Sequence, residues 1–527
     1  MSRLTHCLLL LLLSIAPAIL GGSTLYIEQK LYIVLIGWLI MLICSGIYRS
    51  FLGKIVTFII SALWSLNLSI SLFFYREHDI SFSSSIAETF INTNGSETVG
   101  MLYYNKYYVL FYLCIFIIYY FLIHKSAQFF NIKTTQKSLI ALVILTAIIP
   151  IYKSLALRTD NNSKLLAEYA LLSTPFYNAA ALVRTFHENR QIRKIASQEV
   201  VHQYSKNNDN TEIYILIIGE SVRRDHLGIY GYPYDTTPNL RKEKSNLILF
   251  NQVYSPAPVT ILSVPISLSN IGLEQLQDKS HYADNIVSLA NHAGFKTYWL
   301  SNQGKGSQKT SVISVIANMA QNKKWNEFIG YDEELLPYLD KTLNEPSTQK
   351  KLIILHTYGS HEPACNRFPS QDLKKFTQQE DDNCYDSSIA YTDKLINNII
   401  ERVKGKPATI LYFADHALQR LDKNREVRYH HGVNTPRKEA YDIPLFIWYS
   451  PSTTQPVISN EILSQPYSTA NNYWLLSSWL GIEHHSPNKC YSPLSDCYQP
   501  TLPTMVIDGN KNLLNYDLLS SEEQEPQ

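Results

Sequence analysis

The chain has 527 residues, with 46 Lys and Arg against 45 Asp and Glu and a formal net charge of +1. That balance, with no sustained basic run, gives no electrostatic footprint for nucleic acid and excludes it as a partner. The length exceeds one ordinary domain, and the apolar residues are unevenly spread, so a membrane part followed by a soluble part is expected.

Five apolar runs open the chain, at residues 8–20, 31–47, 55–74, 107–123 and 139–151. Several are long enough to cross a hydrocarbon core of roughly 30 Å. The first, behind Arg3, has the look of a signal peptide, but further apolar runs follow at once and favour a retained helix. With the N-terminus inside, the inner segments carry Arg3, Arg49, Lys54, Lys125, Lys133 and Lys137, and the outer loops carry Lys30, Arg76 and Lys106. This bias fits the positive-inside rule, and an odd number of spans delivers everything after Lys153 to the outside, the periplasm in a bacterium. The loop 76–106 places Thr89, Thr93 and Glu97 at i, i+4 and i+8, one helical face at the membrane surface or simply a solvated one. Residues 154–210 read as amphipathic helices, over 165–186 and then the charged 187–204, bridging to the soluble part. The expected domains are 1–155 in the membrane, 156–210 as bridge and 211–527 as the soluble domain.

From Thr211 onward strands alternate with helices. The strands are expected at 213–218, 247–253, 297–300, 352–356, 409–413 and 443–448; a helix over 385–403 puts Ile389, Thr392, Leu395 and Ile399 on one face. The alternation predicts an α/β fold with a mainly parallel sheet covered on both sides. Cys7, Cys44 and Cys114 lie in apolar runs, whereas Cys365, Cys384, Cys490 and Cys497 lie in the polar half. Without a C-x-x-C knuckle, disulfides in an oxidising compartment explain the second set better than a thiolate metal site, and Cys365–Cys384 with Cys490–Cys497 is the simplest pairing.

In such sheets a site forms beyond the C-terminal ends of the strands. Glu220 follows the first predicted strand, His356 and His361 the fourth, and Asp415-His416 the fifth, with His430-His431 on a following loop. A lone carboxylate there is often a helix cap and a lone histidine often structural. Asp and His side by side, however, offer an oxygen and an imidazole nitrogen to one zinc.

The run Ile217-Ile218-Gly219-Glu220-Ser221-Val222-Arg223-Arg224-Asp225-His226, continuing to Thr236-Thr237-Pro238-Asn239-Leu240, resembles the opening of the sulfatase/alkaline-phosphatase superfamily. Over nearly its whole length the chain is similar to the bacterial phosphoethanolamine transferases, which decorate lipid A, lipopolysaccharide core or periplasmic glucans. The resemblance implies about five membrane spans followed by an alkaline-phosphatase/sulfatase-like domain. It implies zinc on Glu220, Thr260, Asp415 and His416, with a second metal site allowed. Thr260 becomes the nucleophile because Thr260-Ile261-Leu262-Ser263-Val264-Pro265 matches the family's Thr-x-x-Ser-x-Pro about forty residues after the Glu. A threonine at a helix start also gains from the helix dipole, whether as nucleophile or as cap.

By the same resemblance His361, in Gly359-Ser360-His361, and His431, in His431-Gly432, hold the phosphoryl group, and His356 matches a further family histidine. Thr93 and Glu97 correspond to residues implicated in lipid or head-group binding. The donor is phosphatidylethanolamine and the acceptor an envelope glycan or glycolipid. The chain departs from the pattern at Thr89, commonly Asn, at Ala417, usually Gly, and beside Thr260, where Ala257 and Pro258 stand in place of flanking cysteines. A sulfatase needs a Cys/Ser-x-Pro-x-Arg segment, which is not found near Thr260. A glycerophosphate transferase, phosphodiesterase or phosphatase would use the same ligands and stays open as the alternative.

Overall fold

The computed structural model describes chiefly residues 3–20, 27–78, 106–130, 135–144, 174–185 and 200–522, less short stretches such as 304–310, 327–329, 424–425 and 432–435. Thr89, Thr93, Glu97 and Gly432, the end of the fifth apolar run and most of the expected bridge lie outside the described residues. The chain divides into two compact units, the first Met1–Phe90 with Glu97–Glu188 and the second Asn189–Gln527 with Ile91–Ser96.

The first unit contains four long helices, α1 (Arg3–Leu20), α2 (Ile27–Ile47), α3 (Phe51–His78) and α4 (Lys106–Ser126). Where five spans are expected, three helices among the described residues are long and apolar enough to cross a membrane, at Lys30–Ile47, Phe51–Phe74 and Lys106–Ser126; Arg3–Ile19 and Thr135–Ile144 are shorter apolar helices. The interior of the unit is built on aromatic packing, with the Trp64 and Tyr119 rings 5.3 Å apart. Tyr119 donates its hydroxyl to the Leu13 carbonyl at 2.8 Å, which satisfies a polar tip inside an apolar bundle. Outward, α3 and α4 expose Phe58, Ile59, Leu63, Leu110, Leu113, Ile117 and Phe121. Such apolar faces suit lipid, where helices satisfy their own backbone groups.

In the second unit one seven-stranded sheet carries the architecture. Its strands are β1 (Ile213–Gly219), β2 (Leu247–Phe250), β3 (Lys296–Ser301), β4 (Asn322–Trp325), β5 (Lys351–His356), β6 (Ala408–Ala414) and β7 (Leu445–Tyr449), in the order β2-β7-β6-β1-β5-β3-β4. β1 runs parallel to both β5 and β6, as β3 does to β4 and β5. β7 alone is reversed, antiparallel to β6 and β2, so the sheet is mixed rather than wholly parallel. Every residue of β1 is buried because successive side chains enter two separate cores. Tyr214, Leu216 and Ile218 pack in one with Trp299, Leu411 and Phe413, while Ile213, Ile215 and Ile217 pack in the other with Leu395, Ile399 and Trp448.

Two sequence expectations are corrected, and one strand had not been expected. The stretch 247–253 is two strands: beyond β2, Gln252–Tyr254 leaves the sheet and pairs with Pro466–Ser468. The turn between them is fixed by Asn251, whose amide donates to the Leu463 carbonyl at 2.8 Å. Tyr204–Lys206, placed in the bridging helices, is a strand paired with Ile482–His484. β4, with the sequence Asn-Lys-Lys-Trp, carries no strand pattern, because an edge strand tolerates charge. The four polar-half cysteines form the expected bridges, Cys365–Cys384 and Cys490–Cys497.

Candidate active site

The centre of the sheet brings two loops together by register alone. Gly219 pairs with Ala414, so the next residues, Glu220 and Asp415, leave neighbouring strands side by side, and the Asp415 amide donates to the Gly219 carbonyl at 3.0 Å. A Cβ on Gly219 would stand 2.3 Å from the Tyr412 hydroxyl, so only glycine fits this exit. Ser221 then takes a left-handed conformation at φ 60. That strained turn aims its amide at Asp415 Oδ1 (3.1 Å) and its hydroxyl at Glu220 Oε1 (2.6 Å).

Thr260 arrives from a third direction, as the first residue of α5 (Thr260–Leu268). The residue in the cap position is Val259, and the Thr260 hydroxyl caps nothing: it donates to Glu220 Oε2 at 3.0 Å and lies 3.2 Å from His416 Nε2. Ser263 of the same motif donates its hydroxyl to the Asp415 carbonyl, which ties α5 to the β6 exit.

His416 donates from Nδ1 to the Ala417 carbonyl at 2.9 Å, and this turns Nε2 into the cluster, 3.2 Å from Glu220 Oε1 and 3.5 Å from Asp415 Oδ2. Asp415 Oδ2 is buried and makes no hydrogen bond. Burial and the Glu220 charge push the Asp415 carboxyl up to about 7. Against the cost of burial, the His416 hydrogen bond and charge hold Glu220 well below the usual carboxylate range. Burial opposes protonation of His416, yet Asp415 and Glu220 raise it to about 9. Two carboxylates and an imidazole nitrogen thus face one another in a buried cluster in which one carboxylate oxygen makes no hydrogen bond. The residues fit a metal with mixed oxygen and nitrogen ligands.

His431 joins this group: a ring nitrogen of His431, a ring nitrogen of His416 and a carboxylate oxygen of Glu220 all lie within 4.8 Å of one another. The His361 ring lies 5.8 Å from that of His431 and stacks on Tyr358 at 4.9 Å, while its Nδ1 donates to the Glu362 carbonyl at 2.8 Å. His356 is placed differently. Only 3% exposed at the end of β5, it packs on Trp299 with Nδ1 at 3.4 Å from Ser301 Oγ, and burial lowers it to about 4.

Two residues were missed by sequence reasoning. Gln303, two residues past β3, donates from Nε2 to Glu220 Oε2 and to the Thr357 carbonyl, both at 2.8 Å. It obeys the same rule as the others, a polar side chain where an apolar strand stops. Asp332 accepts the amides of Tyr358 and Gly359 at 2.8 Å and so shapes the turn that presents His361, a role with no local sequence signature.

Comparison with known proteins gives the family. The Sulfatase family model matches residues 212–482, and the Transferase YhbX N-terminal domain model matches residues 2–196. The chain is 33% identical over 468 residues to YhbX of Escherichia coli (strain K12), spanning 87% of this chain and 84% of that protein. It is 27% identical over 325 residues to the phosphoethanolamine transferase OpgE of the same strain, spanning 60% of this chain and 59% of the other. Among solved structures, the integral membrane lipooligosaccharide phosphoethanolamine transferase A of Neisseria meningitidis shares the fold, with a TM-score of 0.63 over 94% of this chain and 97% of its own at 18% identity. On its family match and its relatives together, the chain belongs to the sulfatase family and is a relative of the transferase YhbX.

Proposed function

We propose that this transferase moves phosphoethanolamine from phosphatidylethanolamine to an envelope glycan or glycolipid, through a phosphothreonine on Thr260 beside a zinc ion. The observation that carries the reading is the position of the Thr260 hydroxyl at a helix N-terminus, 3.0 Å from Glu220 Oε2 and 3.2 Å from His416 Nε2, next to the unpartnered Asp415 Oδ2. Glu220, Thr260, Asp415 and His416 would hold the metal. Zinc, when bound, supplies the charge that lowers the pKa of the threonine hydroxyl and stabilises phosphoryl oxygens.

In the first half-reaction Thr260 Oγ attacks the donor phosphorus and the bond to diacylglycerol breaks. Glu220 Oε2 already accepts a hydrogen bond from the Thr260 hydroxyl and so orients it for attack, and His361 and His431 supply hydrogen bonds to the phosphoryl oxygens and a proton to the leaving alkoxide. With Nδ1 of His361 committed to the Glu362 carbonyl, Nε2 is its working end. In the second half-reaction an acceptor oxygen attacks the phosphothreonine and Thr260 is restored. Donor and acceptor thus use one site in turn.

Residues 1–155 form the membrane part in this reading, 156–210 the bridge and 211–527 the catalytic part, in the inner membrane with catalysis in the periplasm. Thr93 and Glu97 would serve the lipid head group. The apolar helices and the two disulfides support that placement. The test is to incubate the purified protein with fluorescent phosphatidylethanolamine. Diacylglycerol release with a phosphoethanolamine adduct on Thr260 is expected. Release to water at the same rate from Thr260→Ala would instead mark a phosphodiesterase that does not use this residue.

A further inference from the structure

The two loops that carry the proposed metal ligands are joined a second time, by a residue near the end of the chain. Arg223 lies three residues after Glu220, and its guanidinium is 5% exposed. It is bidentate to Asp225 (2.9 and 2.7 Å), donates from Nη1 to the Leu418 carbonyl at 3.3 Å, and meets Glu522 at 3.1 and 2.9 Å. Glu522 Oε1 also accepts the backbone amide of Arg420, four residues after His416, at 2.6 Å. One carboxylate therefore touches the continuation of both ligand loops. The segment that delivers it is fastened in turn. The Glu522 amide donates to both Glu439 oxygens at 3.2 Å, Ser521 donates its hydroxyl to Glu439, and the Lys438 amide donates to the Ser520 carbonyl at 3.0 Å.

We infer that Glu522 is a positioning residue for the metal site, a C-terminal clip that holds the Glu220 loop against the Asp415-His416 loop through Arg223 and the Arg420 amide. A buried guanidinium left without one of its carboxylates is costly, so loss of Glu522 would let Arg223 shift and loosen both loops at once. The inference rests on the metal reading above.

The test uses the full-length protein in detergent, with zinc affinity measured by competition with a fluorescent chelator and the melting temperature of the metal-free protein measured beside it. Glu522→Ala and Glu522→Gln are expected to weaken zinc binding roughly tenfold to a hundredfold, the range seen when the partners of metal ligands are removed. Glu522→Asp, which keeps the charge, should recover part of that loss. Ser521→Ala, which loosens the same segment but leaves the carboxylate, is expected to bind zinc within about threefold of the native protein. Zinc affinity unchanged in Glu522→Ala would overturn the clip and leave the metal reading standing. So would losses in all four variants that merely follow their metal-free melting temperatures. A native protein that binds no zinc in this assay would overturn the metal reading, and the clip with it.

Discussion

Both oxygens of Glu220 are committed, Oε1 to the Ser221 hydroxyl and His416, Oε2 to Thr260 and Gln303. A carboxylate so fixed would need little rearrangement to receive the cation proposed above. The contribution of Gln303 is therefore orientation, and Gln303→Ala is expected to cost about tenfold in zinc affinity, read by chelator competition, with little change in thermal stability. Thr260→Ala should remove transfer by at least about a thousandfold, while Thr260→Ser keeps a measurable fraction because the hydroxyl survives. A diacylglycerol release assay on both variants checks this. At this scale the sequence was informative wherever the chemistry needs a particular residue type. Glu220 and the Asp415-His416 pair were read from their places after apolar strands and Thr260 from the family-like motif around it, and the structure brings the four side chains together. His356 obeyed the same rule, but its ring packs on Trp299 with Nδ1 toward Ser301, because the last residue of a strand can face the core as well as the cleft.

Strand ends become a site only if the turns after them approach closely. Gly359 shows how closely: at φ 44 it presses on the Glu220 backbone, and a Cβ there would stand 2.7 Å from the Glu220 carbonyl oxygen. Gly359→Ala is expected to destabilise the second unit by about 1–3 kcal/mol and to lower activity with it, measured by denaturant unfolding beside the release assay. The Cys365–Cys384 bridge fastens the loop after His361 to the helix α6 (Glu380–Val403), closing a separation of 19 residues. Replacing both cysteines by serine should cost about 3 kcal/mol by the loop-entropy argument, again read by unfolding. The α6 pattern was plain in the sequence, as Ile389, Leu395 and Ile399 are buried at helical spacing. The reversal of β7 was not, because a buried strand has the same apolar run whichever way it points. The hairpin Gln419–Lys423 with Glu426–His430 was hidden for another reason: its polar residues read as loop, and only pairing reveals them as strand.

The whole molecule combines apolar helices with a disulfide-bearing catalytic unit, two solvents served by one chain. The apolar runs were the easiest feature to read, and their number the hardest, because short helices at Arg3–Ile19 and Thr135–Ile144 fall below a full crossing. The charge bias of the loops predicts that the second unit lies in the periplasm, which is open to a direct check. A cysteine placed at Leu518, 82% exposed, should react with a membrane-impermeant maleimide in cells whose outer membrane alone is permeabilised. Labelling only after the inner membrane is opened would place the catalytic unit in the cytosol.

Everything chemical depends on the convergence of Glu220, Thr260, Asp415 and His416 on one cation. The most direct measurement is a crystal structure of the zinc-loaded protein with anomalous data at the zinc edge. A peak is expected about 2.0–2.2 Å from Glu220 oxygen, Thr260 Oγ1, Asp415 oxygen and His416 Nε2. A zinc ion bound elsewhere, with Thr260 outside its coordination sphere, would contradict it.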